Sequence, residues 1–235
     1  MIGSRSQSRA GNRIVTLCVF SIIVFGMSAC GDDNEMSNKN FQDVKNTHAL
    51  ASILRELSKG VDYEPHKSPR ELAERAELTV VGEVISVDEG RVFGIGPTRE
   101  AEPVFLNVAI TVKVDRVLAG NEALVQKGLV FVEIARTKAI SLNSLRNATP
   151  TKQRVILFLG DYSEGMVTFP VIEKAQSIPD GATVFAPYAD GFILEDQTSG
   201  TLVGGLDSFE RMAPAWRKGT VSVDTFIEEH FPSVQ

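Results

Sequence analysis

The first apolar block in this chain, residues 14–27, is 14 residues long, and Arg5, Arg9 and Arg13 precede it. A membrane-spanning helix needs roughly 18 apolar residues or more. A basic start, a short apolar middle and the small residues Ser28 and Ala29 predict a secretory leader instead. Residues 31–46 are polar and predict a flexible tether; sixteen such residues reach about 20–24 Å on average. Leu50, Ile53, Leu54 and Leu57 then form an i, i+3, i+4, i+7 stripe that predicts a helix, with Gly60 as its stop. A second short helix is predicted from Ser68, with Pro69 at its first position and a Ser-x-x-Glu box closed by Glu71. Leu72, Ala73 and Ala76 are expected to face inward.

From residue 78 the period changes from helical to strand. The segment 104–118 alternates most regularly, with Val104, Leu106, Val108, Ile110, Val112 and Val114 on one face. Further strands are predicted over 78–87, 129–134, 155–159, 166–172, 183–188, 192–195 and 201–203, with glycines between them. Phe209, Met212, Ala213 and Trp216 form another helical stripe, capped by Asp207 or Ser208. Ser222 caps a last helix through Phe231 that Pro232 stops. The expected class is α+β: an antiparallel β-barrel (OB-like) or sandwich core with short helices at both ends. The expected segments are leader 1–29, tether 30–46, N-terminal helices 47–76, β-rich core 77–206 and C-terminal helices 207–235.

Met27-Ser28-Ala29-Cys30 resembles the lipobox of bacterial lipoproteins. That resemblance implies cleavage after Ala29 and diacylglycerol on the Cys30 thiol. It implies localisation at the cell membrane, anchored through lipid on the extracytoplasmic face. Cys18 would leave with the leader, so the mature chain could form no disulfide. Removing the three leader arginines from 24 basic residues leaves 21 against 30 acidic ones, a net charge of −9. Such a surface repels phosphate backbones, and no nucleic-acid partner is expected.

A second resemblance covers residues 77–175. Leu78-Thr-Val-Val-Gly-Glu-Val, the strand from Ala109 ending Val-Leu-Ala-Gly120, and Arg154-Val-Ile-Leu-Phe-Leu resemble successive strands of netrin/TIMP-like OB barrels. Inhibitory members of that family chelate a protease metal with a free N-terminal Cys. A lipidated Cys30 would be blocked, so that activity is not carried over.

The search for chemistry gives little. His48, His66 and His230 lie on different segments, and no HExxH, G-x-S-x-G or S-x-x-K occurs. Their expected places are a helix surface, a loop and a partly buried helix end. Asp88-Glu89 and Glu228-Glu229 are expected on solvated surface. Trp216 is expected in the core. No catalytic residue, metal site or cofactor is predicted. The segment 88–103 is long, charged and glycine-rich, and it is the expected binding loop, through Arg91, Phe93, Arg99 and Glu102. The expected role is a tethered binding or interaction module for an unknown envelope protein or ligand. The alternatives are an envelope hydrolase or metalloenzyme whose site forms only in three dimensions, and a structural spacer.

Overall fold

A computed structural model describes residues 45–59, 63–95, 103–162, 169–207 and 221–234, all within the unit Asn40–Gln235. The calls on Ala29, Cys30, Gly60, Arg99, Glu102, Ser208 and the Phe209–Trp216 stripe lie outside the described residues. The elements, in order, are α1 (Thr47–Leu57), α2 (Pro69–Arg75), β1 (Leu78–Gly94), β2 (Pro103–Gly120), β3 (Leu129–Arg136), α3 (Leu142–Ala148), β4 (Gln153–Asp161), β5 (Val171–Glu173), β6 (Val184–Glu195), β7 (Leu202–Gly204) and α4 (Val223–His230). The class is α+β, with one strand-rich sheet and short helices.

The helix ends follow their caps. Asn46 Oδ1 accepts from Ala49 N at 2.7 Å, and Ser222 Oγ accepts from Thr225 N at 3.3 Å. Ser68 Oγ accepts from Glu71 N at 3.1 Å, as expected. The return half of the box is shifted by one residue, because Glu71 Oε2 accepts from Lys67 N and not from Ser68 N. The sequence reading missed α3. It has seven residues, too few for a full stripe, and only its Ser141 cap and buried Leu142, Leu145 and Ala148 mark it.

β1 pairs antiparallel with β2, and β2 with β3. β3 runs parallel to β6, β6 antiparallel to β4, and β4 antiparallel to β1. The path of pairings therefore returns to β1. β5 and β7 are short additions, on β1 and β6 respectively.

Two apolar clusters lie on either side of β4. Val155, Leu157 and Leu159 join one cluster with α1, α3, Val108 and Val132, whereas Ile156 and Phe158 join the other with α2 and α4. Both faces of β4 are thus covered, and this explains its unbroken apolar run.

Several strand limits differ from expectation. Of the strand expected over 166–172, residues 166–168 lie outside the described residues, and β5 begins at Val171, after Pro170, which has no N–H for a ladder. The two strands expected at 183–188 and 192–195 are one, β6, in which the pairing with β4 is irregular between Leu157 and Leu159. The largest difference is at 88–103. β1 continues to Gly94 and β2 starts at Pro103, so of the expected binding loop every described residue except Ile95 is strand. In β2 the face opposite Val108 and Ile110 is also covered, with Asn107, Ala109 and Thr111 all buried.

Candidate functional site

Glu133 lies in the apolar run of β3 and is 1% exposed. A carboxylate taken from water needs donors or a counter-charge, and the local register of β1 supplies both. Glu89 pairs with Val108 and Val92 with Leu106, so Gly90 and Arg91 together oppose Asn107. This is a β-bulge, which frees one backbone group from the ladder and turns a side chain. Gly90 suits it, because a Cβ there would sit 2.8 Å from the Asn107 Cβ.

The Arg91 backbone N–H donates to Glu133 Oε1 at 2.7 Å, and Arg91 Nε donates to Oε2 at 2.7 Å. Asn107 Nδ2 donates to the same Oε2 at 2.9 Å. Arg91 Nη2 donates to the Tyr162 carbonyl at 2.9 Å, and the guanidinium lies 5.4 Å from the Phe93 ring centroid and 5.2 Å from that of Tyr162. Burial pushes the Tyr162 hydroxyl pKa up, against a smaller lowering by its hydrogen bond with Asn107; Glu133 raises it and Arg91 lowers it. Asn107 Oδ1 is buried without a hydrogen-bond partner. The cluster ties together β1, β2, β3 and Tyr162, which follows β4, next to the pairing of β1 with β5.

Of the expected binding residues, Arg91 and Phe93 meet in this cluster, but neither lies in a loop. Phe93 is 2% exposed and packs rather than presents a surface. Glu133, Asn107 and Tyr162 were missed. A single charge inside Leu-Val-Phe-Val-Glu-Ile was the available signal, since a carboxylate in a doubly apolar strand has to be paired. The expected solvated pair at 88–89 is also engaged, with Asp88 bonded to Arg146 and Glu89 to Arg136.

A second buried carboxylate, Asp190, belongs to the irregular stretch of β6. Its Oδ2 accepts from His66 N at 2.8 Å and lies 2.9 Å from His66 Nδ1. His66 is thus in the connection between α1 and α2, as expected, but pinned and largely buried, with the Tyr188 ring edge-on at 5.8 Å. His48 is on the exposed face of α1, 3.4 Å from Asp196. Asp207, one of the two expected helix caps, is buried and accepts from the Tyr63 hydroxyl. Among the described residues no group of three His, Cys, Asp or Glu is arranged to hold a metal ion, and no helix is long and apolar enough to cross a membrane.

His230 closes α4 against the Phe226 ring at 4.7 Å, and burial lowers its pKa, partly opposed by Glu229. The unfolded chain, with an ordinary imidazole near 6.5, therefore binds this proton more readily. The stability contribution is full above about pH 6.5 and is lost as pH falls through the lower folded value. The Thr198 N–H, then the Ser199 hydroxyl and His48, lower the Asp196 pKa. That contribution is lost only in more acid solution. Thermal midpoints measured from pH 7.5 to 5 are expected to fall more for the natural chain than for His230→Gln. Equal slopes would refute this.

The chain matches no family model and no curated protein by sequence.

Proposed function

We propose that this chain is a membrane-anchored, extracytoplasmic lipoprotein whose domain is an OB-like barrel serving as a non-catalytic binding module. The Cys30 motif supports the anchor. The pairing path that returns to β1, with its single parallel step between β3 and β6, supports the OB-like reading over a sandwich. The resemblance to netrin/TIMP-like barrels supports the fold reading and no activity.

One observation carries the binding role. The base of the β1–β2 hairpin is held by a buried carboxylate with three donors, at a bulge. Bulges favour sites where a side chain is re-aimed, and a rigid base suits a recognition element. The partner would be an envelope protein or ligand bound by residues 96–102, which include Arg99 and Glu102, together with the hairpin arms. Deleting 88–103 would remove paired strand, so the informative variant replaces 96–102 with Asn-Gly. Crosslinking in intact cells followed by pull-down should lose the captured partners. An unchanged partner profile would refute the hairpin assignment.

A second reading rests on the His66–Asp190 pair, which resembles the base and orienting acid of a hydrolase. Turnover of ester or peptide substrates that is abolished by His66→Ala, in a variant that keeps its fold, would favour it.

A further inference from the structure

We infer that the edge of β1 between its two partner strands receives an extended polypeptide strand from another protein. β4 pairs with β1 only as far as Val84, and β5 pairs with it only at Val92 and Phe93. Residues 85–90 therefore have no strand partner on that side among the described residues. Six residues of strand span about 20 Å. The Val87 carbonyl on this edge accepts instead from Arg146 Nε at 2.7 Å, and Arg146 Nη2 donates to Asp88 Oδ1 at 2.8 Å. A charged side chain laid on an unpaired edge is a common guard against unwanted pairing.

Beside the first part of this edge, at residues 83–87, lies a groove of about 360 Å³, walled on its other side by Arg146, Thr149, Thr151 and Lys152. Ile85 is the extra residue of a second bulge, between Val84 opposite Val112 and Ser86 opposite Thr111, and it is 52% exposed. About half of this large aliphatic side chain is left uncovered by the domain.

The chemistry of the groove selects its occupant. Backbone groups at strand spacing suit a polypeptide, as in strand addition to a sheet edge. Ile85 asks for an apolar side chain. Lys152 is exposed and has no ion-pair partner among the described residues, and it favours a carboxylate at that end. An arriving strand would displace Arg146 from the Val87 carbonyl and leave its guanidinium for that carboxylate. A second copy of the chain fits less well. Antiparallel self-pairing centred on residue 88 sets Asp88 against Asp88, and directly opposed like charges destabilise.

The test pans a random heptapeptide library on the purified protein. Enriched peptides are expected to alternate apolar and polar residues and to carry Asp or Glu. Ile85→Lys, at an exposed site that should leave the far-UV spectrum unchanged, is expected to weaken them at least tenfold. N-methylation of alternate peptide amides, which keeps every side chain, is expected to do the same. No enrichment, or full binding after either change, would overturn the inference. A dimer that Ile85→Lys dissociates would also overturn it, in favour of a second copy. Replacing 96–102 should leave peptide binding intact, so this surface and the hairpin fail independently.

Discussion

Glu133→Gln is expected to destabilise the domain by about 3 kcal/mol, the lower end of the 3–5 kcal/mol seen when one partner of a buried ion pair is removed. The change keeps size and an acceptor oxygen but leaves the Arg91 guanidinium without a counter-charge, at a side-chain exposure of 13%. The Phe93 and Tyr162 rings still attract the cation and hold the cost near the lower end. Arg91→Met alone should cost a similar amount, because Glu133 is then the unpaired charge. The double variant should recover most of the loss: neither charge remains, and Asn107 can turn its unpartnered Oδ1 toward the new amide. Urea unfolding of the four proteins measures this cycle. Additive losses, or a Glu133→Gln cost below about 1 kcal/mol, would show that the charges do not depend on each other.

Cys30→Ala is expected to have the largest effect in the cell. One acyl chain binds a bilayer only marginally, and two hold it firmly at about 0.8 kcal/mol per buried CH₂. Without the thiol there is nothing to acylate. Nearly all of the protein should leave the membrane fraction, or remain as a longer precursor that keeps its leader. In either case radiolabelled palmitate should not be incorporated. A variant that fractionates, migrates and labels like the natural chain would contradict the anchor.

Elements held by local signals were legible in the sequence. The α1 stripe, the Ser68 and Ser222 caps and the apolar run of β4 each state their structure within a few residues. What was illegible depended on distant partners. Gly90-Arg91 has turn-like composition, yet it is strand, because Glu133, 42 residues on, takes the bulge N–H and the guanidinium. Pro187 to Gly191 has the composition of a turn between two strands, yet β6 is continuous, and Asp190 turns to His66, 124 residues before it. In the candidate site, Arg91 and Phe93 were found for the wrong reason, as loop residues. Glu133 and Asn107 were hidden because alternation marks the face of a residue, not what covers that face.

The buried pair could stabilise the domain without serving recognition, and the Arg91→Met/Glu133→Gln double variant separates the two roles. It should be folded, anchored and close to natural stability, yet lack the charge-assisted brace at the hairpin base. Partner capture by crosslinking in intact cells is the direct measurement. A binding hairpin held by this pair predicts at least a tenfold loss of captured partner at unchanged protein level. Full capture by the double variant would contradict it.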